Sequence, residues 1–114
     1  MITQKRIRIL IADDHAIVRE GLRALIEAKP DMELVGEAED GGGAVALASS
    51  LKPDVVLLDL VMPNMDGIEA VREIMRENSQ ERILVFTSFS DDANVFAAIT
   101  TTRRGWHRSA RYPP

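Results

Sequence analysis

The sequence has no cysteine among its 114 residues, so a disulfide framework and a thiolate metal site are both excluded. It also lacks any apolar run near the roughly 18 residues that a membrane-spanning helix needs. Its first eight residues are polar and basic and lack the apolar core of a secretion signal. These absences predict a cytoplasmic protein that does not enter a membrane.

Acidic residues are unevenly distributed. Residues 1–102 hold 10 Lys and Arg against 18 Asp and Glu, a charge of −8 (10 − 18), whereas residues 103–114 hold four arginines and no acid, a charge of +4. The acidic body argues against a nucleic-acid binder. With 46% hydrophobic and 28% charged residues, the composition is that of a globular protein, and the length is enough for one core.

Strand-like and helix-like segments alternate along the chain. The predicted strands are 7–12, 32–36, 55–58 and 83–86. Three of the predicted helices are 16–28, 68–77 and 91–99. A further helix is predicted after the glycine loop 40–43 and ends near Leu51. On the first helix, Val18, Leu22, Leu25 and Ile26 share one face at helical spacing, which predicts that they point inward. This order predicts one α/β domain whose parallel sheet is covered on both faces.

Three acidic residues stand where apolar runs stop. Asp13 and Asp14 follow Ile9 to Ala12, and Asp59 follows Val55 to Leu58. Because ligands bind at the carboxyl ends of the strands in such sheets, the three carboxylates are candidates for one site. They would repel one another unless a cation held them, and hard carboxylate oxygens suit Mg²⁺.

Simpler structural explanations apply to each candidate alone. Asp13 or Asp14 could cap the helix that follows, and Asp59 could be an ordinary polar strand end. A hydroxyl of Thr87 or Ser88 at the end of the fourth strand is weak support for a phosphate contact when taken alone. His15 is expected at the start of the helix, with no metal role beside hard oxygen ligands.

Taken together, these features resemble the receiver domain of bacterial response regulators, over residues 6–99. The resemblance lies in three motifs: Ile-Ala-Asp-Asp-His at 11–15, Val-Val-Leu-Leu-Asp-Leu-Val-Met-Pro-Asn-Met-Asp-Gly at 55–67, and Val-Phe-Thr-Ser-Phe at 85–89. The first and third are most similar to the NarL/FixJ subgroup, whose members usually carry a LuxR-type helix-turn-helix output domain. The resemblance implies a flavodoxin-like, doubly wound parallel sheet of order 2-1-3-4-5.

The resemblance also implies a two-component signalling role in transcription regulation. Asp59 would accept a phosphoryl group from a sensor histidine kinase, and Thr87 would be the switch hydroxyl. Mg²⁺ would be held by Asp13, Asp14, Asp59 and the backbone carbonyl of Val61. Such a domain is a phosphoacceptor rather than an enzyme, with at most self-phosphorylation and self-dephosphorylation, and it would contact DNA only through an output domain that this sequence lacks.

The family pattern breaks after residue 99. No apolar fifth strand and no fifth helix follow, so we expect these two elements to be missing or altered. We therefore divide the chain into a receiver domain, 1–99, and an aberrant basic tail, 100–114, in which Ser109 falls where the family has a phosphate-pairing lysine. The abrupt change favours a frameshifted or wrongly terminated product, and a natural divergent tail is the alternative. Loss of the fifth strand would expose an edge and favour a homodimer.

Other functional classes stay open at this stage with less support. An aspartyl phosphatase on a similar fold usually needs a second aspartate two residues after the nucleophile, where this chain has Val61. A nucleotide binder would need a glycine pattern that Gly41-Gly42-Gly43 does not supply. A degenerate receiver that acts only as a protein-interaction module is the main alternative.

Overall fold

In a computed structural model of the chain, residues 5–62, 67–86 and 100–102 are described, the last three by their backbone alone. Four strands run parallel: β1 (Ile7–Ala12), β2 (Met32–Ala38), β3 (Val55–Asp59) and β4 (Arg82–Phe86). Three helices connect them: α1 (Ala16–Glu27), α2 (Gly41–Leu51) and α3 (Gly67–Glu77). Within this part of the chain, no helix has the length and apolar character needed to cross a membrane.

The sheet has the order β2-β1-β3-β4-β5, where β5 is Thr100–Thr102. This order and the parallel pairing of the first four strands confirm the predicted flavodoxin-like class. At the edge of the sheet, β5 pairs antiparallel to β4, with Thr100 opposite Val85 and Thr102 opposite Ile83. The predicted helix at 91–99 lies outside the described residues.

The larger part of the core lies between the sheet and helices α2 and α3. Small residues of α2 (Ala44 and Ala48) and apolar residues of α3 (Val71 and Ile74) pack against Leu10 and other buried strand residues. On the opposite face, Ile26 of α1 packs with Ile9 and Ile11 of β1. Both faces therefore carry helices, as alternating strands and helices require.

Two details of the helices differ from prediction. Leu25 is 66% exposed, so its inward assignment is wrong, although Ile26 is buried as predicted. The three glycines at 41–43 form the first turn of α2 rather than a loop. The reason is that the carboxylate of Asp40 accepts a hydrogen bond from the Gly43 N–H at 2.7 Å and thereby caps the helix.

Candidate metal and phosphoacceptor site

The site lies at the carboxyl ends of the two central strands. Ala12 of β1 pairs with Leu58 of β3, so Asp13 and Asp59, the next residues in each strand direction, lie side by side. Both side chains are fully buried. The parallel register thus brings together two acids that are 46 positions apart, as the sequence predicted.

Each of the two buried carboxylates has one oxygen that is hydrogen-bonded and one that is not. Oδ1 of Asp13 accepts from the His15 N–H at 2.7 Å, and Oδ1 of Asp59 accepts from the Val61 N–H at 3.2 Å. Within residues 5–62 and 67–86, Oδ2 of each aspartate is buried and has no hydrogen-bond partner. Because buried polar atoms are normally satisfied, these two oxygens indicate a ligand position.

The electrostatics of Asp59 reflect the same arrangement. Burial raises the pKa of the Asp59 carboxyl to about 6, and the charges of Asp13 and Asp14 act in the same direction. The hydrogen bond from the Val61 N–H and the charge of His15 oppose the rise in this pKa. The ionised carboxylate is therefore costly in the protein alone, and a nearby cation would favour it.

Asp14 and His15 form the more accessible side of the cluster. The Asp14 side chain is 31% exposed and that of His15 43% exposed, and His15 Nδ1 lies 3.0 Å from Asp13 Oδ1 and 3.1 Å from Asp14 Oδ1. The pKa of His15 is raised, chiefly by its hydrogen bond to Asp13. The N-cap of α1 is His15, with no side-chain capping hydrogen bond, so neither aspartate fills the capping role considered above.

Arg19 of α1, which the sequence analysis did not single out, holds the turn that carries these acids, and Arg23 shares its glutamate partner. Arg19 Nη1 donates to the backbone carbonyl of Asp13 at 2.7 Å, and Arg19 Nε donates to Glu37 at 3.2 Å. Arg23 donates twice to the same glutamate, at 2.8 and 3.1 Å. The sequence gives only weak evidence for this role of Arg19. Arg19 lies one helical turn after His15, on the side of α1 that is nearest the end of β1.

A close contact fixes the other wall of the site. The Gly67 N–H donates to the Leu60 carbonyl at 2.8 Å, and a Cβ at Gly67 would lie 2.4 Å from Leu60 Cα and 2.6 Å from the Asp59 carbonyl oxygen. Only glycine permits this approach. Helix α3 therefore begins directly against the end of β3, next to Asp59.

The four side chains fit a divalent metal ion. Asp13, Asp14, His15 and Asp59 each offer one ligand atom, and these atoms lie within 4.8 Å of one another. Three carboxylates, two of them with an unsatisfied buried oxygen, are a donor set suited to Mg²⁺. The fit supports the predicted ion, and the positions of the three aspartates are those that the sequence predicted.

The structure says little about the remaining predicted site residues. Val61 directly follows the site and is 62% exposed, and its carbonyl stays a predicted ligand. Thr87, Ser88 and Ser109 lie outside the described residues, so the predicted switch hydroxyl and the lysine replacement stay predictions. The division of the chain at residue 99 also stays a prediction.

Comparison with known proteins agrees with this geometry. The family model of the response regulator receiver domain matches residues 9–105. The transcriptional regulatory protein LiaR of Bacillus subtilis is 56% identical over 93 residues, which are 82% of this chain and 44% of LiaR. The chain thus spans less than half the length of this relative.

Solved structures show the same architecture. The response regulator domain of Thermotoga maritima CheB superposes with a TM-score of 0.71 at 42% identity, covering 77% of this chain and 65% of that one. A LuxR-family two-component response regulator from Aurantimonas sp. SI85-9A1 gives a TM-score of 0.70 at 45% identity, covering 75% and 61%. Both are similar to this chain well beyond the level of a shared fold.

Proposed function

The chain belongs to the response regulator receiver domain family, and on this premise we propose that it receives a phosphoryl group on Asp59 from a sensor histidine kinase. The observation that carries the proposal is the cluster of Asp13, Asp14 and Asp59 with its two unsatisfied buried oxygens. The comparisons support the family, and the buried cluster supports the chemistry. The transfer would serve transcription regulation in the cytoplasm.

In the proposed reaction, the Asp59 carboxylate is the nucleophile. One of its oxygens forms a bond to phosphorus, the bond between phosphorus and the donor breaks, and the donor leaves with that electron pair, giving an aspartyl phosphate. A bound Mg²⁺ supplies positive charge that offsets the repulsion between two anionic reactants. Asp13 and Asp14 would hold the ion together with Asp59, and the Val61 carbonyl would be a further ligand.

The protein supplies orientation to this chemistry. The Val61 N–H holds Oδ1 of Asp59 in place, and Oδ2 has no hydrogen-bond partner among the residues that the structure describes. Arg19 fixes the carbonyl of Asp13 and with it the turn that presents Asp13 and Asp14. Thr87, the residue after β4, would donate its hydroxyl to the phosphoryl group.

The proposal extends to partners. We infer that a histidine kinase is the phosphoryl donor, that the chain can form a homodimer, and that DNA would be contacted only through an output domain beyond this sequence. No turnover of a separate substrate is part of the proposal. Self-phosphorylation by small phosphodonors and self-dephosphorylation would be its only reactions.

A degenerate receiver that serves only for protein contact is the second candidate. The observation that favours it is Ser109, a residue without positive charge where the family has a lysine. Serine cannot neutralise a phosphoryl charge as an ammonium does, so phosphorylation could occur without driving a conformational switch. In this second candidate Asp59 either does not react or reacts without driving a conformational change, whereas the first candidate requires that it reacts.

The test is incubation with acetyl phosphate and Mg²⁺, followed by intact-mass measurement. We expect a single phosphoryl adduct that requires Mg²⁺ and is absent in Asp59→Asn. The matched control is Asp31→Asn, which removes an exposed carboxylate from the opposite end of the sheet and should leave the adduct unchanged. No adduct on the folded wild-type chain would overturn the phosphoacceptor proposal and favour the protein-contact candidate.

A further inference from the structure

We propose that His15 is a further donor of the metal site, beside the three aspartates and the Val61 carbonyl, and that it lets the site take borderline transition ions such as Co²⁺, Ni²⁺ and Zn²⁺ in addition to Mg²⁺. The inference rests on the metal site of the proposed function and deepens it, because it assigns the site an imidazole ligand and a metal preference. The sequence analysis gave His15 no such role, since sequence alone does not show where the ring lies.

The first argument is the separation of the donor atoms. His15 Nδ1 lies 3.0 Å from Asp13 Oδ1 and 3.1 Å from Asp14 Oδ1. Two donors that bind one ion at right angles, each about 2.1 Å away, are about 3 Å apart. The imidazole nitrogen therefore stands at the distance of a neighbouring ligand from both carboxylates.

The second argument is that the ring is held in this position before any ion binds. The backbone of His15 is tied at both ends, because its N–H donates to Asp13 Oδ1 at 2.7 Å and its carbonyl accepts from the Arg19 N–H at 3.1 Å. The ring is also held by a hydrogen bond between its Nδ1 and Asp13 Oδ1; Nδ1 is the donor because a carboxylate only accepts, and a bound ion would take the place of this hydrogen. A ligand that is already in place loses little conformational freedom on binding.

The third argument comes from the buried side of the cluster. Within residues 5–62 and 67–86, the Oδ2 atoms of Asp13 and Asp59 are buried without a hydrogen-bond partner, which indicates a position for a ligand beside them. His15 and Asp14 close the cluster from the solvent side, and both are accessible enough for an ion to enter between them. The side-chain donors of the site are then three carboxylates and one imidazole.

Ligand chemistry gives the consequence. Carboxylates suit Mg²⁺ and Mn²⁺, whereas imidazole suits Zn²⁺, Ni²⁺ and Cu²⁺, and affinities rise through the first-row series towards copper. An imidazole donor therefore raises the affinity for transition ions relative to Mg²⁺, compared with a site made only of oxygen donors. We infer that such ions compete with Mg²⁺ for this site more strongly than three carboxylates alone would allow.

The test is calorimetric titration of the chain, freed of any polyhistidine tag, with Ni²⁺ and with Mg²⁺ at about pH 8, above the ordinary pKa of an imidazole. His15→Asn replaces the imidazole with an amide, whose oxygen is a hard donor. We expect the ratio of Ni²⁺ to Mg²⁺ affinity to fall at least about tenfold. Mutating a residue that only hydrogen-bonds to a metal ligand already lowers metal affinity about tenfold or more, and loss of a direct ligand should cost no less. The visible absorption bands of bound Co²⁺ should shift in the same variant.

The chain offers a matched control, because His107 is its one other histidine. His107→Asn should keep the wild-type ratio of Ni²⁺ to Mg²⁺ affinity, and Asp59→Asn should weaken the binding of both ions. An unchanged ratio and an unchanged Co²⁺ spectrum in His15→Asn, with both ions still bound, would overturn the role of His15 and leave the metal site intact. Failure of the wild-type chain to bind either ion would overturn both the site and this inference.

Discussion

Burial makes the ionised carboxylate of Asp59 costly in the folded chain. Its pKa is raised to about 6, so between its ordinary pKa and about pH 6 the folded state binds more protons at this residue than the unfolded state does. By linkage, this contribution to stability is present below the ordinary pKa and is lost as the pH rises through about 6. The residue proposed to react is thus one that weakens the fold at neutral pH.

Because the ionised Asp59 carboxylate lowers stability at neutral pH, Asp59→Asn should stabilise the metal-free chain when a chelator is present. At about pH 7.5 the variant should be more stable than the wild-type chain by an amount on the order of 1–3 kcal/mol, because it removes a buried charge. At about pH 4 the advantage should shrink. Urea unfolding at both values measures the free energy of unfolding, and an advantage of equal size at the two pH values would contradict the account.

At the scale of elements, the approach of α3 to β3 depends on one glycine. A methyl group at Gly67 would meet the backbone of Leu60 at 2.4 Å, and backbone atoms cannot move aside as a flexible side chain can. Gly21, in the exposed part of α1, has no atom within 4 Å of the corresponding position. The two glycines therefore form a matched pair.

We expect Gly67→Ala to destabilise the chain by about 1–3 kcal/mol through forced displacement of the helix. Gly21→Ala should stabilise it by about 0.4–1 kcal/mol, since alanine restricts the unfolded chain and favours the helix. Thermal or urea unfolding of both variants gives the comparison. A Gly67→Ala chain as stable as the wild type would show that α3 does not need this contact.

Two glutamates at opposite ends of the sheet should respond to pH with opposite signs. Burial raises the pKa of Glu81, just before β4, against the effect of the Arg82 N–H. The hydrogen bonds of Arg23 lower the pKa of Glu37, near the end of β2, against the effect of burial. By linkage, Glu81 contributes stability that is lost as the pH rises, and Glu37 contributes stability that is lost as the pH falls.

Glu81→Gln should therefore raise the free energy of unfolding at neutral pH, with a smaller gain in acid. Glu37→Gln should lower it by about 0.5–1 kcal/mol at neutral pH, a modest value because its ion pairs are partly exposed. Unfolding curves at about pH 4 and pH 7 test both glutamates. Changes of the same sign in the two variants would show that the physical causes given for the pKa shifts are wrong.

At the scale of the whole molecule, the sequence predicted which acidic residues lie together better than it predicted which side chains are exposed. Asp13 and Asp59 were found because each follows a buried apolar run, and parallel pairing necessarily brings such strand ends together. The exposure of Leu25 could not be predicted, because helical spacing tells which residues share a face but not what covers that face. Arg19 was missed because its contact with the site is to the backbone carbonyl of Asp13, which no side-chain pattern reveals.

The fifth strand shows a second limit. The sequence predicted a missing or altered element because no apolar run follows residue 99. Three threonines nevertheless pair with β4 in the antiparallel direction, since backbone hydrogen bonds need no apolar side chains. Part of the β4 edge is thereby covered, which weakens the argument for a homodimer through that edge.

Asp13, Asp14 and Asp59 are proposed to form one shared divalent-metal site. Isothermal titration of the wild-type chain with Mg²⁺ tests it most directly. We predict one ion per chain, with binding lost in Asp13→Asn and in Asp59→Asn and retained in Asp31→Asn. Undiminished Mg²⁺ binding after either of the first two substitutions would contradict the shared site.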